Sequence, residues 1–159
     1  MATQNKNLSL FNKAEIPSAK GMQFGIVVAN WNRDITNNLL AGTKATLLEC
    51  GASKQHITVM EVPGSFELVF GAKLLSKQKL DAIICLGSVI EGETKHFDFV
   101  CNAVSLGIKD LNIVLDIPVI FGVLTDNTFE QAKNRSGGKL GNKGVEAAIT
   151  AIKMAYLNK

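Results

Sequence analysis

The sequence predicts an α/β fold in which helices cover both faces of a four-stranded parallel sheet. Four short runs rich in Val and Ile recur along the chain, and each is continuously apolar. Continuous apolarity is typical of parallel strands that are buried on both faces. Longer stretches with helical periodicity separate the runs, which gives the alternating order of an α/β domain. The expected strands are 24–29 (FGIVVA), 57–62 (ITVMEV), 82–87 (AIICLG) and 118–124 (PVIFGVL).

Helices are expected between these strands and after the last one. The last helix has an apolar stripe at helical spacing. Right-handed crossovers would place helices on both faces of the sheet, which makes the predicted fold a flavodoxin-like three-layer αβα sandwich. The expected helices are 34–50, 65–77, 95–111, 128–134 and 143–156, with the loop SGGKLGNKG (136–144) before the last.

The chain is expected to form one domain with an amino-terminal arm. Its 159 residues suffice for a single core of ordinary size. Residues 21–159 are assigned to the domain. Residues 1–20 are polar and loosely patterned, which favours a flexible arm. Within the arm, LSLF (8–11) could add a strand to a neighbouring subunit.

Composition excludes several classes of function. The chain is 47% apolar and 19% charged, and it has no apolar run near the roughly 20 residues that span a membrane. The net charge of +3 is not concentrated in any block of Lys or Arg, which disfavours nucleic acid but not an anionic small molecule. The first residues do not resemble a secretory signal, so a cytoplasmic location is expected.

Motifs for metals and common cofactors are missing as well. Cys50, Cys85 and Cys101 are widely spaced without a CxxC pair, which argues against disulfides and zinc and predicts small buried hydrophobes. His56 and His96 lack ligand-like spacing. No GxGxxG follows the first strand, and no GxSxG elbow occurs. We therefore expect no metal and no cofactor.

Unusual residues gather where the predicted strands end. In this fold class ligands bind at the carboxyl ends of the strands, near the point where the strand order reverses. The turns at 29–32, 63–67, 87–96 and 125–126 lie at that edge, and they contain the only tryptophan and one of the two histidines. The sequence therefore predicts a ligand site there.

Two of these turns carry groups suited to an aromatic heterocycle. Trp31 offers a flat face for stacking, although a single tryptophan after a strand is more often core filler. In the PGSFEL turn, Ser65 and Phe66 present backbone N–H groups at a helix start, and Glu67 adds a carboxylate. This mixture of donors and acceptors fits the edge of a polar heterocycle, but a plain helix N-terminus explains it equally well.

The stretch GSVIEGETKH predicts a phosphate site beside a proton-transfer group. Gly92, Glu93 and Thr94 leave unpaired N–H groups at a helix start, where the helix dipole favours an anion. The carboxylate of Glu93 would repel phosphate, so the backbone and the Thr94 hydroxyl are expected to bind it. His96 lies in the first turn, where an imidazole suits repeated proton transfer, although a structural histidine is the commoner case.

Two cations near the last helix complete the candidates. Arg135 precedes a glycine pair, and a guanidinium beside flexible backbone suits bidentate phosphate contact. Taken alone, it would be a solvated surface residue. Lys143 and Glu146 lie three apart on one helix face, where most such pairs are weak surface ion pairs. These two residues could equally be structural.

Four segments together closely resemble the 6,7-dimethyl-8-ribityllumazine synthase family. They are VPGSFEL, GSVIEGETKHFDFV, PVIFGVLT and EQAKNRSGGKLGNKGVEAA. The similarity runs in order from about residue 25 to residue 158, and the patterns GxVIxGxTxHFD and GNKGxEAA are highly specific. The resemblance implies condensation of 5-amino-6-(D-ribitylamino)uracil with 3,4-dihydroxy-2-butanone 4-phosphate in riboflavin biosynthesis.

The resemblance also implies a role for each candidate residue. His96 matches the catalytic acid/base residue. The implied substrate contacts are Trp31 on the pyrimidine face, Ser65, Phe66 and Glu67 at the ribityl chain, backbone groups of Ser88, Val89 and Ile90 at the pyrimidine rim, Gly92, Glu93 and Thr94 in the phosphate turn, Phe121 in the aromatic wall, and Arg135 and Lys143 near the phosphate.

Three positions depart from the common family pattern. Trp31 stands where Phe is more frequent, Ser65 where many members have Ala, and Glu91 where Arg is common. The change at Glu91 bears on local charge and subunit contacts more than on the chemistry, because no catalytic role falls on that position.

The resemblance further implies a homo-oligomer. In the family the site lies between adjacent subunits of a pentamer, and the region of Arg135 has no insertion, as in members that assemble into an icosahedral 60-mer. Riboflavin synthase is a candidate partner. Fold alone does not fix function, so a non-catalytic shell or a flavin-binding protein remains the main alternative. A response-regulator-like module is a more distant one.

Overall fold

A four-stranded parallel sheet with helices on both faces organises the chain, and the predicted fold class is confirmed. The computed structural model describes Asn7 and residues 9–158. The strands are β1 (Phe24–Ala29), β2 (Ile57–Val62), β3 (Ala82–Ile90) and β4 (Val119–Asp126). β3 is longer than predicted because residues 88–90 pair in register with residues 124–126 of β4.

Five α-helices connect and follow the strands in the described part of the chain. α2 begins later than predicted, because residues 65–67 form a turn in which the N–H of Leu68 donates to the carbonyl of Ser65 at 3.2 Å. The helices are α1 (Arg33–Glu49), α2 (Leu68–Leu75), α3 (His96–Val114), α4 (Phe129–Arg135) and α5 (Lys143–Leu157), with short 3₁₀ turns at Lys13–Glu15 and Lys54–His56.

The segment predicted as the loop SGGKLGNKG is a small antiparallel hairpin instead. It consists of β5 (Ser136–Gly138) and β6 (Gly141–Asn142), and it joins α4 to α5. Gly137 and Gly141 both have positive φ, at 123° and 89°. Glycine adopts such angles without strain, which is why a glycine-rich stretch that looked irregular can turn this tightly.

Two apolar layers cover the sheet. Phe24, Ile26 and Val28 point to one face, where α1 and α5 pack, and Val27 and Ala29 point to the other, where α2 and α3 pack. This alternation along β1 follows from the two-residue period of a strand. Because both faces are covered, the strands read as continuous apolar runs.

The sheet order is β2-β1-β3-β4. The chain moves from β1 to β2 on one side and then crosses β1 to place β3 on the other, so the order reverses between β1 and β3. A crevice therefore opens at the carboxyl ends of these two strands, which is the usual ligand position in such sheets.

The described part of the amino-terminal segment packs on the domain at several points. The N–H of Ala19 donates to the carbonyl of Cys50 at 2.9 Å, and Phe11 and Ile16 contact the apolar cluster under α1 and α5. Residues 1–6 and Leu8 lie outside the described residues. The flexible arm and the strand formed by LSLF, which includes Leu8, therefore stay predictions.

Two of the three cysteines match the expectation of buried small hydrophobes. Cys50 and Cys85 are buried, whereas Cys101, in the second turn of α3, is only partly buried. Complete burial raises the pKa of the Cys85 thiol to about 12. Among the described residues, no helix combines the length and the apolar character needed to cross a bilayer.

Candidate active site

A cavity of about 640 Å³ opens where the strand order reverses. It lies at the carboxyl ends of β1 and β3 and against the first turn of α3. Ten of the fourteen predicted site residues line it. Its lining is Trp31, Asn32, Pro63, Gly64, Ser65, Phe66, Glu67, Ser88, Val89, Ile90, Gly92, Thr94, His96, Phe97 and Val100.

The turn after β1 is fixed by hydrogen bonds to both neighbouring strands. The N–H of Trp31 donates to the carbonyl of Pro63 at 3.0 Å, and the side chain of Asn32 donates to the carbonyl of Ser88 at 3.0 Å. Asn32 has φ 58°, and no other non-glycine residue in the described part of the chain has a positive φ. Asparagine tolerates this conformation better than most residues. The two hydrogen bonds hold the turn in this conformation.

Trp31 is not core filler, because its side chain is 72% exposed. It stands at the cavity wall with its indole free of the apolar layers. An aromatic side chain with this exposure is available to stack on a flat ligand. The alternative raised from the sequence, a tryptophan buried under the sheet, is wrong.

Two residues that line the cavity have buried hydroxyls without a partner. Ser65 is 6% exposed and Ser88 is 1% exposed, and neither Oγ has a hydrogen-bond partner among the described residues. A buried polar group left unpaired costs about 1–3 kcal/mol, and native proteins rarely leave one so. The cavity therefore offers hydrogen-bonding groups that the fold itself does not use.

Gly87 makes room for one of these hydroxyls. A Cβ at Gly87 would lie 2.6 Å from Ser65 Oγ and 3.0 Å from a side-chain carbon of Leu68. No real Cβ approaches so closely, so a larger residue at 87 would displace Ser65. Glycine is thus required here by close packing between β3 and the turn before α2.

The turn before α2 also places an aromatic ring and a carboxylate at the cavity. Phe66 and Glu67 are both exposed at its rim. Glu67 occupies the cap position of α2, but its side chain makes no cap hydrogen bond. The carboxylate lies instead against Gly64, where an added Cβ would be 3.0 Å from Oε2. It is therefore free to accept a hydrogen bond from a ligand.

The first turn of α3 supplies the imidazole. α3 begins at His96, whose N–H donates to the Thr94 hydroxyl at 3.4 Å. Gly92 has open space around its Cα. Thr94 and His96 are exposed and line the cavity, whereas Glu93 is exposed and does not. The binding of an anion by the backbone and Thr94 stays a prediction.

Three further predicted residues lie outside the cavity of the single chain. Phe121 is exposed on β4, an edge strand of the sheet. Arg135 ends α4, and Lys143 begins α5 and pairs with Glu146 at 2.9 Å. The two side chains of this ion pair are only 20% and 16% exposed, which favours the structural alternative over a surface pair.

Sequence reasoning placed Asp126 in a turn at the ligand edge but gave it no role, and in the structure it ends β4 beside the cavity wall. It pairs in register with Ile90, is 7% exposed, and has one carboxylate oxygen without a hydrogen-bond partner. Burial raises the pKa of Asp126, while the charge of Arg135 lowers it. Nothing in the sequence separates this aspartate from a surface turn residue, because its burial depends on the extension of β3.

Asn32, Phe97 and Val100 also line the cavity and were not predicted. Phe97 and Val100 are three apart on α3, the spacing of one helix face, so their periodicity after His96 could have found them. No cluster of three or more His, Cys, Asp or Glu able to hold a metal occurs among the described residues.

Comparison with known proteins agrees with this geometry. A family model described as 6,7-dimethyl-8-ribityllumazine synthase matches residues 21–159. A protein of that name from Flavobacterium johnsoniae is 58% identical over 160 residues, covering 100% of this chain and 84% of the relative.

Two more similar proteins carry the same name. One from Christiangramia forsetii is 57% identical over 161 residues, covering 100% of this chain and 96% of the relative. One from Cytophaga hutchinsonii is 55% identical over 155 residues, covering 97% of each. The resemblance carried by the four sequence segments is confirmed, and the chain belongs to the 6,7-dimethyl-8-ribityllumazine synthase family.

Proposed function

We propose that this chain condenses 5-amino-6-(D-ribitylamino)uracil with 3,4-dihydroxy-2-butanone 4-phosphate. The products are 6,7-dimethyl-8-ribityllumazine, phosphate and water, in a step of riboflavin biosynthesis. The observation that carries the proposal is the meeting of an exposed indole, a free strand edge and an imidazole in one cavity at the reversal of strand order.

The pyrimidine would bind between Trp31 and the end of β3. β1 pairs with β3 only as far as Leu86, so residues 87–90 extend beyond their neighbour on that side. No register pairs with β1 continue along this edge, and the carbonyl of Ser88 accepts from the side chain of Asn32 at 3.0 Å. An extended backbone with free donors and acceptors can pair with the polar rim of a heterocycle, as it would with another strand.

The ribityl chain would lie toward the turn before α2. Its hydroxyls can donate to the carboxylate of Glu67 and exchange hydrogen bonds with the hydroxyl of Ser65. Both groups line the cavity and neither is used within the fold. Phe66 would close the rim over the sugar alcohol.

The phosphate would bind at the start of α3. Free N–H groups and the positive end of the helix dipole favour an anion at a helix N-terminus. Thr94 adds a hydroxyl, while Glu93 does not line the cavity. Arg135 and Lys143 would complete the phosphate contacts, and Phe121 the aromatic wall, from an adjacent subunit.

The chemistry begins when the amine of the pyrimidine attacks the ketone. Loss of water gives an imine, and elimination of phosphate leaves an enol that becomes a ketone. The ribitylamino nitrogen then attacks this ketone and closes the ring with loss of a second water. His96 would carry protons between these steps, because it lies between the ring-binding wall and the phosphate turn. An amine and a ketone condense without a catalyst, so orientation should supply more of the rate than any one proton donor.

The residues left outside the cavity support the proposal of an oligomer. Phe121, Arg135 and Lys143 do not line the cavity of the chain that carries them. The described part of the chain also exposes an apolar line on α3, the α3 stripe, formed by Phe99, Leu106 and Ile113 at 73%, 57% and 71% exposure. Residues seven apart repeat on one side of a helix and form helix-pairing seams. We assign this stripe to contacts among subunits of a cytoplasmic pentamer.

We further propose that the pentamers form an icosahedral shell, with riboflavin synthase as a candidate partner. The short hairpin after Arg135 has no inserted residues that would block closure of such a shell. Sedimentation velocity and light scattering distinguish the two assemblies by mass. A sample that contains pentamers alone would reject the shell without affecting the proposed chemistry.

Mixing the two substrates with the protein tests the reaction directly. The lumazine product absorbs and fluoresces, so its formation can be followed continuously against the slow reaction without protein. A rate no greater than that background would reject catalysis. Tight binding of riboflavin or the lumazine without turnover would then favour the alternative of a non-catalytic flavin-binding protein.

A further inference from the structure

We propose that Asn7 and Ser9, in the amino-terminal segment, are positioning residues for the segment from Arg135 to Lys143. This inference rests on the proposed function, in which those two cations contact phosphate. Arg135 stands directly before the β5–β6 hairpin and Lys143 directly after it. Whatever fixes the hairpin therefore fixes the spacing and direction of both cations.

Ser9 is hydrogen-bonded to the hairpin across 133 positions of sequence. The N–H of Asn142 donates to Ser9 Oγ at 3.1 Å. Ser9 Oγ in turn donates to Asn7 Oδ1 at 2.7 Å, and the Ser9 N–H donates to the same oxygen at 3.0 Å. The hydroxyl thus accepts one bond and donates another, and Asn7 holds it in the orientation that accepts from the hairpin.

The hairpin is shaped to receive this contact. A Cβ at Gly141 would collide with Asn7 Oδ1 and with Ser9 Oγ. Gly141 also has φ 89°, an angle that side chains disfavour. Two independent constraints therefore require glycine at the point where the amino-terminal segment crosses the turn, so the crossing is close-packed as well as hydrogen-bonded.

Asn142 links this crossing to the rest of the domain. Its Oδ1 accepts from the N–H of Gly144 at 2.8 Å and so caps α5. Its Nδ2 donates to the carbonyl of Asn38 in α1 at 2.9 Å and to that of Ser136 at 3.3 Å. With its backbone held by Ser9, one residue joins α1, α5, β5 and the amino-terminal segment.

The other side of the hairpin is attached to the end of α4. The N–H of Leu140 donates to the carbonyl of Asn134 at 3.0 Å, and Gly138 packs so closely that a Cβ would lie 2.7 Å from Asn134 Cα. Movement of the hairpin would therefore move the last turn of α4, which ends in Arg135. Loss of the Ser9 contact should therefore change the position of the Arg135 guanidinium through the hairpin and the last turn of α4.

The test compares Ser9→Ala with Ser9→Thr, which keeps a hydroxyl, and with Ser18→Ala. Ser18 is a matched control because its hydroxyl accepts from Lys20 within the same segment at 3.3 Å and does not touch the hairpin. Steady-state assays would measure kcat and the KM of each substrate. Hydrogen exchange would follow the amides of residues 136–144 in the assembled protein.

Ser9→Ala should raise the KM for the phosphorylated ketone by about 2- to 10-fold, the effect expected from one hydrogen bond. The KM for the pyrimidine should stay within experimental error, and exchange across 136–144 should become faster. Ser9→Thr should restore both properties, and Ser18→Ala should match the unaltered protein. A separate inhibition assay with inorganic phosphate should show weaker inhibition of Ser9→Ala.

Three results would overturn the inference. One is an unchanged KM for the phosphorylated ketone in Ser9→Ala, with or without faster exchange. Another is a higher KM without faster exchange, and the third is an equal rise in Ser18→Ala. If the unaltered protein makes no lumazine, the proposed function fails, while the exchange data still decide whether Ser9 holds the hairpin.

Discussion

The cavity wall and the segment from Arg135 to Lys143 are built in different ways. The wall rests on β1 and β3, which pair in register with each other and with strands on either side. The segment rests on a two-stranded hairpin with an irregular register, held by side-chain caps and one contact to Ser9. The wall is thus part of the core, and the segment is attached to it.

This difference separates the part of the proposed substrate site that one chain forms by itself from the part that it does not. The groups proposed for the ring and the ribityl chain already surround one cavity, whereas the proposed phosphate cations and Phe121 lie outside it. In the proposed assembly, these edge groups would reach the cavity of an adjacent subunit. Four measurements test this contrast between the cavity wall and the segment from Arg135 to Lys143.

The largest effect is expected from Leu106→Glu, in the middle of the α3 stripe. A carboxylate there would be desolvated against other subunits at high cost, so assembly should fail and lumazine formation should fall to the background rate. Sedimentation and the substrate assay measure the two outcomes. Ser105→Glu is the control, because the next position on a helix faces another direction. Full activity in a dissociated Leu106→Glu protein would show that one chain suffices.

Arg135→Ala should act almost entirely on the phosphorylated substrate. Loss of charged hydrogen bonds worth about 1.5–3 kcal/mol predicts a rise in its KM of about 10- to 150-fold. The KM for the pyrimidine should change little, because Arg135 lies outside the ring-binding wall. Arg135→Lys should recover part of the affinity without the bidentate geometry. An unchanged KM for the phosphorylated substrate would remove Arg135 from the site.

His96→Ala should slow turnover by about 10- to 100-fold, at or below the low end of acid/base effects. The reason is that orientation in the cavity survives the substitution. The KM values of both substrates should change less than kcat in steady-state assays. Complete loss of activity would contradict this division, because it would make proton transfer rather than orientation the main source of rate.

Asp126→Asn, at the junction of the two regions, should have the smallest effect and should act on stability. Because burial raises the pKa of Asp126, the folded state keeps this proton to a higher pH than the unfolded state. Its contribution to stability is therefore complete below pH 3.8, the ordinary value, and is lost as pH rises through the folded pKa.

Removing that charge should raise the melting temperature at pH 7. A gain of about 1 kcal/mol corresponds to about 2–4 °C in a domain of this size. Thermal melts at pH 7 and below pH 3.8 measure the difference, which should vanish at the lower pH. An equal difference at both pH values would assign the effect to packing rather than to ionisation. A lower melting temperature at pH 7 would show that the field of Arg135 outweighs burial.

Much of the fold follows from local sequence, whereas parts of the site depend on contacts between distant segments. The strands were predictable because their burial makes them continuously apolar, and the helices because their apolar stripes have helical spacing. The extension of β3 was not, since Ser88 belongs to a strand only through its pairing with β4. The hairpin was missed for the same reason: its glycines look like a loop until two positive φ values turn the chain back.

The roles of single residues show the same division between local sequence and contacts among distant segments. Trp31 and His96 could be proposed because rare side chains at strand ends are visible in the sequence. Gly87 could not, because the need for glycine comes from Ser65, more than twenty positions away, packing against it. Asp126 and Ser9 were assigned no role in the site because their partners lie far along the chain. Contacts between distant segments leave no periodic trace.

The overhang of β3 beyond β1 has an evolutionary consequence. Side chains at Ser88, Val89 and Ile90 can drift and reshape the cavity, but they cannot alter the order of main-chain donors and acceptors along that edge. A heterocycle recognised through the peptide groups is therefore shielded from most point substitutions. Proline, which lacks an amide hydrogen, is the single-residue change that would erase part of the pattern, so its acceptance at these positions should be the rarest among functional variants.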